Sequence, residues 1–129
     1  MQDAPNTKEL IGAVRAFLEE RAMPELKGHT AFHARVAANA LAIVERELEL
    51  GPKAQAEELD RLAILLGTEG SLEDQTRALA GKIRSGDFDI ETPGLAEHLR
   101  QTTMDKVAID QPKYSGLKTD SEGNEKSTA

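Results

Sequence analysis

An all-α fold is predicted by three observations. Apolar residues recur three and four apart in successive segments, proline and glycine punctuate those segments, and no stretch sustains the alternation of a strand. At 129 residues the chain has the length of one domain that can bury a core without staples. The expected architecture is a single-domain bundle of about five helices. An alanine-rich central helix at about 30–50 would organise a helical domain over 1–116, and a disordered tail would follow over 117–129.

The first helix is announced by Asn6 and Glu9, which have the spacing of a capping box. Leu10, Ile11, Val14, Phe17 and Leu18 then recur at helical spacing as far as Met23-Pro24. Pro24 and Gly28 interrupt the pattern. A second helix is expected from Thr30 to Leu50, stopped by Gly51-Pro52. At about 100° per residue, Phe32, Val36, Ala37, Ala40, Leu41, Ile43, Val44 and Leu48 sweep half of its circumference, while Ala34, Ala38 and Ala42 fill much of the rest. A broad apolar face with a small-residue back suits a central helix packed on more than one side.

The third helix, about Gln55 to Leu66, places Leu59, Leu62, Ala63 and Leu66 on one face and ends at Gly67 to Gly70. Ser71, with Asp74 three residues on, caps a fourth helix that should bury Leu72, Leu79 and Ile83 and stop at Ser85-Gly86. Asp87 to Glu91 reads as a loop anchored by Phe88 and Ile90. Thr92-Pro93 would open a fifth helix carrying Leu95, Leu99, Thr103 and Val107. Beyond Pro112 the chain should be extended through Tyr114-Ser115-Gly116. From Lys118 onward there is no sizeable apolar residue, which is the composition of a disordered end.

Composition narrows the function. With 16 basic and 23 acidic residues the net charge is −7, which disfavours nucleic acid and anionic membrane surfaces as partners. Aromatics are 3% with no tryptophan, too few for a base-stacking platform. The absence of cysteine removes disulfides, thiolate metal sites and thiol nucleophiles. The longest apolar runs, Ala40 to Val44 and Leu62 to Leu66, fall far short of the roughly 20 residues of a membrane span. Met1 to Pro5 lacks the basic and apolar regions of a signal peptide. A cytoplasmic location is expected.

Candidate chemistry is sparse. His29 and His33 have the spacing of a helical metal pair, but Thr30-Ala31-Phe32 lies between them where a zinc protease carries glutamate, and Gly28 puts His29 at the helix cap. Asp87, Asp89 and Glu91 imitate the start of a calcium loop that then fails at Thr92 and His98. No phosphate-cradling glycine motif is present. No metal or cofactor is therefore expected.

His33 is expected on the apolar face of the second helix, where burial would favour the neutral imidazole. It reads either as a hydrogen-bonded structural histidine or as an acid–base group. Arg35, Asn39 and Arg46 share one edge of that helix, either a polar seam meeting a partner or a solvated border. Lys106, Asp110 and Tyr114, with Asp105 and Lys113, cluster at the end of the fifth helix. They read as a helix terminus covered by the tyrosine or as an interface anchor.

Two stretches, Ala31 to Leu41 and Asp105 to Gly116, together with Asp3-Ala4-Pro5 and Glu9-Leu10, resemble a bacterial family of small proteins classed as a domain of unknown function. The likeness covers residues 3–116. Members of that family are typically encoded beside an aminoglycoside-phosphotransferase-like kinase and an acyl-CoA dehydrogenase. One branch resembles the small accessory subunit of a hydroxyacyl-CoA kinase in levulinate catabolism, in which the kinase phosphorylates the 4-hydroxyl of a 4-hydroxyacyl-CoA. The resemblance implies a non-catalytic subunit that supports such a kinase, and it supplies no catalytic residues. Two other readings fit the residues: a small helical enzyme or ligand-binding protein using His33, and a homodimer pairing through its apolar faces.

Overall fold

The computed structural model describes residues 3–118. Among them the secondary structure is helical, with no strand. The elements are α1 (Thr7–Phe17), a π-helical stretch (Leu18–Ala22), α2 (Met23–Glu25), α3 (Gly28–Leu66), α4 (Leu72–Ser85) and α5 (Leu95–Asp110). No helix of the described residues is long and apolar enough to cross a membrane. The chain forms two compact units, Met1–Gly51 and Pro52–Ala129.

In the N-terminal unit the expected capping box opens α1. The Asn6 side chain accepts from the Glu9 backbone N–H at 2.9 Å, and the Asn6 N–H donates to the Glu9 carboxylate at 3.3 Å. The helix does not stop at Pro24. It loosens into the π-helical stretch, where the Met23 N–H donates five residues back to the Leu18 carbonyl, and closes after Glu25. Pro24 has no N–H to give, and a widened turn before it relaxes the crowding its ring would impose on a regular helix.

Helices expected at about 30–50 and 55–66 are one 39-residue helix, α3, with Pro52 inside it. Gly51-Pro52 thus fails as a stop signal, although the division between the compact units falls at that step. Proline's fixed φ is itself helical, so Pro52 removes only the hydrogen bond to the Leu48 carbonyl and crowds that group. The cost is about 3 kcal/mol, which packing of the flanking segments can outweigh.

In the C-terminal unit Leu62, Leu79 and Leu95 form the buried core, with Leu66, Leu72 and Phe88 packed against them. Ser71 caps α4 as expected, accepting from the Asp74 N–H at 3.1 Å. Gly86 ends α4 in the left-handed conformation, φ 84°, which a residue without Cβ adopts at least cost. Gln75 takes the buried place expected of Ile83, which is exposed. Its amide donates to the Thr68 carbonyl and accepts from the Thr68 hydroxyl, tying the loop before α4 to the helix.

Of the two loop anchors, only Phe88 reaches the core; Ile90 is exposed. Helix α5 begins two residues later than expected, at Leu95, after Gly94 at φ 85°. Thr92 serves the preceding turn instead, accepting from the Asp89 N–H at 2.9 Å. After α5 the chain is not extended. The Tyr114 N–H donates to the Gln111 carbonyl and residues 115–118 are helical. Leu117 and Lys118, assigned to the tail, belong to that helical turn, while 119–129 lie outside the described residues.

Candidate functional site

Within the N-terminal unit α1 lies antiparallel to the first part of α3. Lys8 pairs with Glu49 at 3.1 Å, and Arg15 Nε donates to Glu45 at 2.7 Å. Between these pairs Gly12 approaches so closely that a methyl group there would sit 2.8 Å from Glu45 Oε1. The side of α3 that meets α1 is therefore its small-residue back. Ala38, two turns before Glu45 on that side, is 2% exposed.

Much of the face expected to be buried is consequently turned outward, although Leu41 and Ile43 on it are half-buried. Phe32 is 60% exposed and Val36 49%, with Val44 and Leu48 also exposed. His33 is exposed as well, its ring edge-on to Phe32 with centroids 5.6 Å apart. Its expected burial is overturned, because α1 pairs with the side of α3 that carries Ala38, Glu45 and Glu49, and His33 projects away from that side. The acid–base reading, which rested on a desolvated imidazole, loses that support. Arg35 and Asn39 are exposed on the predicted edge, and Arg46 is half-buried with an interaction of its own.

The buried histidine of the C-terminal unit is His98, 3% exposed. Arg61 Nε–H donates to its Nδ1 at 3.3 Å, and another Arg61 nitrogen donates to the Thr102 hydroxyl at 3.1 Å. Burial first, then the adjacent Arg61 charge, holds the imidazole below its ordinary pKa. It therefore stays neutral, with the proton on Nε2, because Nδ1 accepts. Sequence reading missed this role. Of the expected face of α5, Leu95 is buried and Val107 half-buried, but Leu99 and Thr103 are exposed, and His98 is buried in their stead. The available signal was spacing: His98 and Thr102 continue from Leu95 at three and seven residues, and a polar face can be buried when its groups bond one another.

At the far end of α5 a surface groove of about 450 Å³ is lined by Leu99, Thr103, Met104, Val107, Tyr114 and Leu117, with Arg100 at its edge. Tyr114 forms one wall and remains 55% exposed. A side chain at Gly116 would meet its ring at 2.5 Å, so the glycine lets the aromatic fold over the last helical turn. Lys106 and Asp110 are exposed on α5 but do not line the groove. The predicted cluster thus separates: Tyr114 walls a groove, Lys106, Asp110 and Lys113 are exposed, and half-buried Asp105 accepts from the Gln101 amide at 2.9 Å.

The described residues hold no group of three or more histidine or acidic side chains able to bind a metal. In the acidic loop Asp89 Oδ1 accepts from the Glu91 N–H at 2.8 Å, so one of the supposed ligands shapes the turn locally. The described residues expose an apolar stripe on α3 and an apolar groove on α5. No curated protein and no solved structure matches the chain. A family model does, over residues 24–114, which include α3, α4, α5 and Tyr114. The chain belongs to the DUF6285 family, a domain of unknown function.

Proposed function

We propose that this chain is a non-catalytic accessory subunit that binds and supports an aminoglycoside-phosphotransferase-like kinase acting on hydroxyacyl-CoA substrates. The α5 groove would be its docking site. The observation that carries the reading is the groove itself: Leu99, Met104, Val107 and Leu117 beside a half-exposed Tyr114. Tyrosine presents a large amphipathic surface at small entropic cost, and apolar pockets of this kind receive the anchoring side chains of partner proteins. The resemblance of Asp105 to Gly116 to the accessory-subunit family falls on this same segment. A kinase brings its own nucleotide and metal site, so the contribution required of such a subunit is a binding surface that orders or stabilises its partner.

The test is ATP consumption by the candidate kinase with a hydroxyacyl-CoA, with and without an equimolar amount of this chain, alongside co-purification of the two. Activity or solubility that requires both chains supports the role. Tyr114→Ala should then weaken the complex about tenfold to a hundredfold, with helical circular dichroism unchanged. Arg35→Glu tests the α3 edge in the same assay. No complex and no change in rate with the wild-type chain would overturn the reading.

A further inference from the structure

We propose that the exposed face of α3 in the N-terminal unit is a homodimer interface, in which two copies pair antiparallel about a two-fold axis through Ala40. The proposal concerns a different unit from the α5 groove and does not depend on the kinase reading.

Phe32, Val36, Ala40, Val44 and Leu48 succeed one another at four-residue intervals and form a single ridge on the helix surface. All of them are exposed. The ridge is symmetric about its midpoint: Ala40 is flanked on both sides by valine, and then by a larger residue at each end. Laid on its own copy in the reverse direction, at the crossing angle of about −50° at which i±4 ridges mesh, it sets Val36 near Val44, with alanine against alanine where the helices come closest and with Phe32 and Leu48 at the margins. A two-fold interface needs such self-complementarity, since every contact must occur twice. A small residue at the axis allows the helices to touch.

Charge selects the same orientation. Residues 27–40 carry Lys27, His29, His33 and Arg35 and no carboxylate, whereas 41–50 carry Glu45, Glu47 and Glu49 against Arg46. Glu45 and Glu49 are engaged by Arg15 and Lys8 of α1. Glu47 is exposed on the open side of the helix, as is His33. Antiparallel pairing brings His33 of each copy beside Glu47 of the other, a donor beside an acceptor. Parallel pairing would set glutamate against glutamate, which is unfavourable at such range. The face therefore fits a reversed second copy of itself.

The experiment uses the full chain. Sedimentation velocity should report twice the 14.0 kDa chain mass, and Val36→Asp should return a single-chain mass with undiminished helical circular dichroism. Because the chain lacks cysteine, disulfide trapping is clean and does not rely on a destabilising substitution. Ala40→Cys should cross-link to itself on oxidation. A mixture of Val36→Cys and Val44→Cys should cross-link as the heterodimer, with Val36→Cys alone failing to do so.

Charge supplies a further readout. Glu47→Lys should raise the dimer dissociation constant about tenfold, and adding His33→Glu should restore it. A single-chain mass at about 100 µM would overturn the proposal. So would a dimer that survives Val36→Asp, or efficient self-trapping of Val36→Cys, which would report parallel helices.

Discussion

In the C-terminal unit a leucine from each of three helices, Leu62, Leu79 and Leu95, is enclosed, and Leu66, Leu72 and Phe88 pack around them. In the N-terminal unit the enclosed apolar side chain is an alanine, Ala38, while Leu10, Val14 and Phe17 on α1 and Phe32, Val36, Val44 and Leu48 on α3 remain exposed. Three helices can surround a point, whereas two helices in contact share only one seam. The seam marked by the Lys8–Glu49 and Arg15–Glu45 pairs lies on the side of α3 that carries Ala38, and bulky residues such as Phe17, Phe32 and Val36 are left outside. An apolar stripe that its own unit does not cover is the surface we propose for pairing between copies. The unit that folds around its own core carries a concave groove, and the unit that does not carries a convex ridge.

The contrast between the two units is greatest at Leu62 and Phe32. Leu62→Ala should cost about 2–5 kcal/mol of unfolding free energy, because it opens a cavity at a point with no exposure. Phe32→Ala, although it removes a larger side chain, should change unfolding of the dilute chain by less than about 0.5 kcal/mol. Denaturant titration of both variants decides the matter; equal losses would mean that the α3 stripe is core after all.

The buried polar cluster sharpens it next. His98 is held neutral, so its folded pKa lies below its unfolded one. Its contribution is then fully present above the unfolded pKa, near 6.5, and is lost as the pH falls through the folded value, because the unfolded chain takes up the proton first. Thermal unfolding followed from pH 8 to pH 4 should show a decline on the acid side that His98→Gln reduces. An unchanged pH profile in the variant would show that the imidazole does not report on folding.

The smallest effect belongs to the seam of the N-terminal unit. Arg15 and Glu45 are partly exposed, and the hydrogen bond that Arg15 donates to the Glu45 carboxylate raises the Arg15 pKa above its ordinary value. A double-mutant cycle on the pair should give a coupling of about 0.5–1 kcal/mol that shrinks in high salt. Coupling of several kcal/mol would mean that ion pairing, and not close small-residue packing, holds α1 to α3.

Local chemistry was legible where one residue type answers one backbone need. Asn6 and Glu9, Ser71 and Gly86 mark helix ends as their donors, acceptors and φ preferences require. Phe88 and the leucines of the C-terminal core were also readable, since helical spacing puts Leu59, Leu62 and Leu66 on one face, with Ile64 opposite them left exposed. On α3 and α5 two faces compete. The richer face of α3 lost to the smaller-residue one, and on α5 Leu99 and Thr103 yielded to His98. Tyr114 was singled out from its chemistry alone. Its groove was not foreseen, because it needs the turn at 111–114 that the expectation of an extended segment excluded.

By itself the sequence determined that the chain is helical, where α1 and α4 begin, that α4 stops at Gly86, and that many apolar residues lie at helical spacing. These follow from interactions within a few residues of one another. Tertiary structure decided that α3 runs through Pro52, that α1 lies on the alanine side of α3, that His98 rather than His33 is buried, and that Tyr114 walls a groove. Each of these depends on which surface another helix occupies. A periodic pattern reports how apolar a face is, and only the partner's shape determines how closely that face can be approached.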